Sequence, residues 1–180
     1  EVENNIVVPW FDMDAMQEAY DACGGDVAGL IAQPYDHGNF FDNVCATKEQ
    51  WAKVRKFCDD HGMVLIIDDV RTGFRLDIAG SDHYYGFKAD LICFCKALAN
   101  GYNMSCVCGQ EHMKNTASSV VYTGSYWMSA EPFAACLACI PKMKKLDTPK
   151  MFREMGTKLT NGFKAAGKEH GFDLVVSGEP

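Results

Sequence analysis

The chain has 180 residues, of which 48% are hydrophobic and 23% charged, and its formal net charge is −7. This length allows one domain or one domain with part of another, and the composition is that of a globular protein with an apolar core. The acidic balance argues against nucleic acid or an anionic membrane surface as the main partner. No apolar run approaches the ~20 residues of a membrane span. Nine cysteines, an odd number, favour a reducing, cytoplasmic setting over a disulfide scaffold.

Short apolar runs alternate with helical patterns along the chain, which is typical of an α/β fold. The predicted elements are, in chain order, a strand at 27–32, a helix at 48–60 capped by Thr47, strands at 63–67, 91–94 and 105–108, helices at about 132–145 and 150–169, and a last strand at 172–176. The run at 63–67 lacks polar alternation, which indicates a strand buried on both faces. We therefore expect an α/β protein whose sheet is mainly parallel, with flanking helices.

Two predicted strands end in residues of opposite charge. The strand at 63–67 leads directly into Asp68 and Asp69, and the strand at 91–94 is followed after one residue by Lys96. In an open parallel sheet, ligands bind beyond the carboxyl ends of the strands, so a carboxylate and an amine are expected at one crevice. A desolvated lysine there is a good nucleophile. The alternative from the pattern alone is a structural ion pair between Asp68 and Lys96.

The residues around these two positions resemble a known family. The string Asp-Asp-Val-Arg-Thr-Gly-Phe-Arg at 68–75 is similar to the Asp-Glu-Val-x-Thr-Gly-Phe-Arg stretch of class III aminotransferases, which are pyridoxal-phosphate enzymes of fold type I. Lys96 follows Ala-Asp-Leu at 89–91, as the family's Schiff-base lysine follows Pro-Asp-Leu. The segment 26–34 resembles the family's Ala-Gly-Val-Ile-x-Glu-Pro strand, and 122–125 resembles its Gly-Thr phosphate turn. The resemblance covers nearly the whole chain.

This resemblance implies a cofactor, pyridoxal 5′-phosphate, and roles for five residues. Lys96 would hold the cofactor's aldehyde and later move a proton, and the Asp68 carboxylate would keep the pyridine nitrogen protonated. Val70 would lie against the face of the ring. Gly124 and Ser125 would donate to the phosphate of the neighbouring subunit. The implied activity is amino-group transfer between an amine or amino acid and a carbonyl compound, in a homodimer.

Several positions depart from the family pattern. Asp69 stands where glutamate is usual, and Gln33 replaces the glutamate before the proline. Arg71 occupies a position that in some relatives holds a glutamine reaching the cofactor's ring oxygen. The segment 126–131, which includes Trp127, is longer than in the family. These differences predict a subgroup distinct from the best-known members.

The resemblance also implies a domain division. Residues 1–146 match part of the cofactor-binding large domain, and residues 147–180 match a long helix and a first strand that lead into the small domain. The phosphate cup and stacking aromatic that the family places earlier in its chain are not in this sequence.

Three alternatives to an aminotransferase remain at this stage. The first is an aminomutase of the glutamate-semialdehyde type, which moves an amino group within one molecule. The second is a non-catalytic fragment or degenerate homologue. The third is a metal protein, because Cys93 with Cys95 and Cys106 with Cys108 supply four thiols, although alternate cysteines on apolar strands more often pack in a core.

Overall fold

The computed structural model describes residues 4–38, 41–125 and 129–180. Within them lies one four-stranded sheet, whose strand order follows the chain. The strands are β1 (Gly29–Ala32), β2 (Val64–Asp68), β3 (Leu91–Phe94) and β4 (Cys106–Gly109). The helices are α1 (Met13–Ala22), α2 (Lys48–Asp60), α3 (Ser81–Tyr85), α4 (Lys114–Ser119), α5 (Ala130–Leu146) and α6 (Thr148–Glu169). The α/β prediction is thereby confirmed.

The sheet is parallel except at one edge. Strand β1 pairs with β2, and β2 pairs with β3, both in parallel, whereas β4 runs antiparallel to β3. Each parallel pair is joined by a crossover that contains a helix, as parallel strands require. All three parallel strands consequently end at the same edge of the sheet.

Helix α2 shows why these residues fold as they do. The Thr47 hydroxyl accepts a hydrogen bond from Gln50 N at 3.1 Å, and the Gln50 side chain accepts one from Thr47 N at 2.8 Å, which completes a capping box. Trp51 and Val54 recur along one face of the helix and are almost fully buried. The Trp51 indole donates to the Pro34 carbonyl at 2.9 Å, so α2 is fastened to the segment that follows β1.

Burial of β2 differs from the expectation of two covered faces. Leu65 and Ile67 are fully buried, whereas Val64, Ile66 and Asp68 are only half-buried. The side chains of a strand alternate between faces, so one face of the sheet packs on the core and the other is only partly covered in the part of the chain described.

The carboxyl-terminal region is helical up to Glu169. Helix α5 ends at Leu146, Asp147 adopts a left-handed conformation with a φ of 47°, and α6 begins at once. The strand expected at 172–176 does not form. Phe172 N instead donates to the Gly167 carbonyl at 2.8 Å, and the Leu174 side chain packs on Gly167, so the segment folds back on α6. A domain division at 146/147 stays a prediction.

Among the helices described, none combines the length and the apolar character that a membrane crossing requires.

Candidate active site at the carboxyl edge of the sheet

Asp68 is the last residue of β2 and lies on its half-buried face. Its Oδ1 accepts a hydrogen bond from Val70 N at 3.1 Å, which fixes the carboxylate and Val70 relative to each other in an Asx turn. No hydrogen bond or ion pair engages Oδ2 in the described segments of the chain. One carboxylate oxygen thus holds the turn, and the other is available at the edge of the sheet.

Lys96 opens a 3₁₀ turn, Lys96–Leu98, just beyond β3. Its φ is 38°, a left-handed conformation that costs free energy in a residue with a side chain and is concentrated at functional sites. Leu98 and Ala99 are buried and anchor the turn, and the Cys139 thiol of α5 contacts the Ala97 carbonyl at 3.6 Å. The Lys96 side chain itself is exposed and forms no ion pair with a described residue. The backbone is therefore anchored, while the amine has no partner among residues 4–38, 41–125 and 129–180.

The register of the sheet brings these two positions to neighbouring strand ends. Asp68 pairs with Cys93 in the parallel β2–β3 ladder, and Lys96 follows three positions after Cys93. Ala32 pairs with Ile67, which places Gln33 beside Asp68 on the other side. Asp68 and Lys96 do not form the salt bridge that the structural alternative requires: no ion pair among the described residues joins them.

Asp69 serves a different purpose from its neighbour. It lies in the core, 1% exposed, and its two oxygens accept hydrogen bonds from the Ser81 hydroxyl at 2.5 Å and from Ser81 N at 2.9 Å. Burial raises the pKa of Asp69 to about 6, against the lowering effect of the Ser81 hydrogen bonds. The side chains of Asp68 and Asp69 therefore point to opposite faces, and Asp69 ties the end of β2 to α3.

His37 is a buried residue in the segment that follows β1. Its Nε2 lies 3.0 Å from the Thr72 hydroxyl, and its ring lies 4.2 Å from that of Tyr35 between centroids. Burial and the positive charge of Arg71 lower the pKa of His37, whereas Asp36 and Asp68 act in the opposite direction. The segment after β1 is thus bonded to the turn after β2.

A cavity of about 370 Å³ lies beside β1. Trp10, Phe11 and Trp51 form apolar walls, and Gln33, His37 and Arg71 form a polar end. Neither Asp68 nor Lys96 lines it. We place the candidate site by the strand ends rather than by this cavity, because the reactive groups are at the strand ends.

Gly124 and Ser125 are not brought to Asp68, Val70 or Lys96 in this chain. Both are exposed, and a Cβ added to Gly124 would meet no atom within 4 Å. No hydrogen bond among the described residues links Gly124 or Ser125 to those three residues at the edge of the sheet. Trp127, which the longer segment 126–131 contains, lies outside the described residues.

The register of β3 and β4 argues against the metal site of four cysteine thiols that the sequence left as an alternative. Cys93 pairs with Val107, so it shares a face with Val107 and points away from the face that carries Cys106 and Cys108. Burial and the Cys108 thiol raise the pKa of Cys106 to about 12, which disfavours the thiolate that binds metals. In the three described segments, no three His, Cys, Asp or Glu side chains are arranged to hold a metal ion.

Comparison with known proteins defines the class to which this sheet and its strand-end residues belong. The chain is 34% identical over 167 residues to an aminopentol aminotransferase of Sphingopyxis macrogoltabida, covering 93% of this chain and 40% of that protein. It is 32% identical over 176 residues to a glutamate-1-semialdehyde 2,1-aminomutase of Sulfurihydrogenibium sp. (strain YO3AOP1), covering 96% of this chain and 40% of the relative.

A solved structure agrees with these relatives. The FumI protein of Sphingopyxis sp. MTA144, determined in its PLP internal aldimine form, superposes with a TM-score of 0.88 at 33% identity, over 94% of this chain and 41% of that one. The profile of the class-III aminotransferases matches residues 12–175. The chain belongs to the class-III aminotransferase family. It spans about 40% of the length of the curated relatives it matches.

Proposed function

We propose that the protein is a pyridoxal-phosphate-dependent aminotransferase that moves an amino group between an amine or amino acid and a carbonyl compound. One observation carries this proposal. In a chain of the class-III family, the ends of two adjacent parallel strands place a carboxylate oxygen and an amine at one edge of the sheet, and neither is paired with a described residue.

The donor set fits the cofactor's ring and aldehyde. When bound, pyridoxal phosphate supplies an aldehyde that condenses with amines and a protonated pyridine ring that accepts electrons. These parts require a lysine amine and a carboxylate oxygen that are free to bind them, and neither Lys96 Nζ nor Asp68 Oδ2 has a partner in the described segments. Lys96 would hold the aldehyde end, and Asp68 Oδ2 would accept a hydrogen bond from the ring N–H.

Each residue then has a defined task. The Lys96 amine, on its anchored turn, would accept and return the proton of the reacting carbon. The Asp68–Val70 hydrogen bond would hold the two residues together, so that the carboxylate would bind the ring N–H while the Val70 side chain would contact the ring. A carboxylate held by a backbone N–H needs little reorganisation when charge develops on its partner.

The phosphate end requires a second copy of the chain. Gly124 and Ser125 are exposed, and no hydrogen bond among the described residues joins them to Asp68, Val70 or Lys96 of their own subunit. A glycine beside a hydroxyl allows close backbone approach and one additional donor, which suits a phosphate. We therefore infer a homodimer in which each subunit's Gly124 and Ser125 complete the partner's site, and we place it in the cytoplasm.

An aminomutase is the second candidate, because a relative of that name is nearly as similar as the aminotransferase. The two activities differ in the need for a carbonyl co-substrate. An aminotransferase requires a separate acceptor for turnover, whereas an aminomutase rearranges a single amino compound.

The test is amino-group transfer by the protein as its gene encodes it, with a panel of amines and 2-oxo acids. We expect turnover only when donor and acceptor are both present. Lys96→Ala and Asp68→Asn should each lower kcat by about 100-fold or more, the scale of proton-transfer catalysis. Lys88→Ala, which removes an exposed lysine elsewhere, is the control. Full activity in Lys96→Ala would contradict the proposal.

A further inference from the structure

A buried hydrogen bond connects the two loops that follow β1 and β2. His37 and Thr72 are 9% and 1% exposed, and the distance between His37 Nε2 and Thr72 Oγ1 is 3.0 Å. This is the only hydrogen bond that either side chain forms with the described residues. Leaving either group without its partner would carry the cost of a buried, unsatisfied polar atom.

Thr72 belongs to the same tight turn as Asp68. Gly73 N donates to the Asp69 carbonyl at 2.8 Å, and Arg75 N donates to the Thr72 carbonyl at 3.0 Å. The turn is tightly packed at Gly73, because a Cβ added there would lie 2.7 Å from the Asp69 carbonyl oxygen. A displacement of Thr72 is therefore transmitted to the end of β2 through Gly73 and its hydrogen bond to the Asp69 carbonyl.

The imidazole is suited to a neutral, fixed role. Burial and Arg71 lower the pKa of His37, so the uncharged ring prevails at neutral pH. Tyr35 packs against the ring and limits its rotation. A neutral imidazole whose ring is fixed in one orientation can hydrogen-bond to the Thr72 hydroxyl. It does so without bringing a buried charge next to the Asp68 carboxylate.

We propose that His37 is a positioning residue, which through its hydrogen bond to Thr72 holds the 68–73 turn so that the free oxygen of Asp68 faces the pyridine nitrogen of the cofactor. This inference rests on the proposed function. It predicts that the His37–Thr72 pair acts on the ring nitrogen contact and not on the phosphate or aldehyde contacts.

The experiment compares two ligands in the protein as its gene encodes it. Equilibrium dialysis gives the Kd of pyridoxal phosphate and of 1-deazapyridoxal phosphate, in which carbon replaces the ring nitrogen. His37→Ala and Thr72→Val should weaken pyridoxal phosphate binding about two- to tenfold, the range for one lost hydrogen bond. Binding of the deaza analogue should not change, because it makes no hydrogen bond to Asp68.

Conservative variants separate positioning from general damage to the fold. His37→Gln and Thr72→Ser keep a hydrogen-bonding group at each position and should restore the wild-type Kd. His170→Ala, at the exposed end of α6, is the matched control. Equal weakening for both ligands, or no weakening for either, would overturn the proposal.

A measurement without cofactor distinguishes failure of this inference from failure of the proposed function. In the cofactor-free protein, His37→Ala should accelerate amide exchange at Gly73 and Arg75, whose N–H groups close the turn. Unchanged exchange would overturn the positioning role. Failure of the proposed function would show instead as a wild-type protein in which borohydride fixes no pyridoxal phosphate on Lys96.

Discussion

Two adjacent aspartates at the end of β2 have different environments: Asp69 is buried and accepts two hydrogen bonds from Ser81, whereas Asp68 is half-buried and accepts one from Val70 N. Sequence pattern and resemblance both selected Asp68 and Lys96, because charged residues directly after apolar strands are unusual. The structure agrees in placing both at the carboxyl edge of the sheet. The partners of Asp69 and His37 were not predictable, because Ser81 and Thr72 are distant in sequence and no local pattern indicates such a pair. The site roles of Asp68, Val70 and Lys96 stay predictions.

Asp69 should make stability depend on pH in a specific direction. Its pKa is raised by burial to about 6 in the folded protein, above its ordinary value of 3.8. The folded state therefore binds the proton more tightly, so the contribution of Asp69 is largest below about pH 4 and is lost as the pH rises through 6. The difference in unfolding free energy between wild type and Asp69→Asn, from urea denaturation, should shift in favour of wild type as pH falls across this window. A difference that is constant with pH would contradict this assignment.

Helices and strands were predictable where capping residues and apolar periodicity agree. The helix expected at 48–60 has those bounds, because Thr47 begins it and His61 with Gly62 ends it. Helix α1 was not foreseen, although Asp12, whose side chain accepts from Ala15 N at 3.0 Å, is the N-cap signal that marks its start. The segment 172–176 has the apolar residues of a strand, but none of the described strands lies beside it; Leu174 packs on Gly167 of α6, while Phe172 and Val175 stay exposed.

Loss of the capping box should destabilise α2 and the core that it covers. Thr47→Ala removes the acceptor for Gln50 N, and we expect the unfolding free energy to fall by about 1 kcal/mol. Thr47→Ser, which keeps the hydroxyl, should lose much less. Urea unfolding followed by Trp fluorescence is a suitable measurement, because Trp51 lies on this helix. Equal stability of the alanine and serine variants would show that the cap contributes nothing.

In the molecule as a whole, the residues of the proposed site lie in two separate groups. Asp68 and Lys96, which we propose hold the ring and the aldehyde of the cofactor, lie at one edge of the sheet, and the exposed Gly124 and Ser125 form no hydrogen bond with them in the described part of the chain. Sequence reasoning reached the fold class and the family, since these depend on strand ends and local strings. Contacts between subunits depend on a second chain and stay a proposal.

Subunit complementation tests the proposed homodimer. Gly124→Glu introduces a negative charge where the partner's phosphate should bind, and Lys96→Ala removes the amine; each variant alone should be inactive. Mixed and reassembled, they should recover about a quarter of wild-type activity, because half of the dimers are mixed and each mixed dimer keeps one intact site. Gly162→Glu, at another exposed glycine with no atom near its Cβ position, should stay active without mixing. No recovery on mixing would argue against sites shared between subunits.

The proposed function depends first of all on Lys96 as the residue that holds pyridoxal phosphate. The direct measurement is reduction of the cofactor-loaded protein, as its gene encodes it, with borohydride, followed by mass spectrometry of the peptides. We expect one stoichiometric pyridoxyl label on Lys96, and none on the same peptide when Lys96 is replaced by alanine. A label spread over exposed lysines such as Lys88 and Lys114, with Lys96 unmodified, would contradict it.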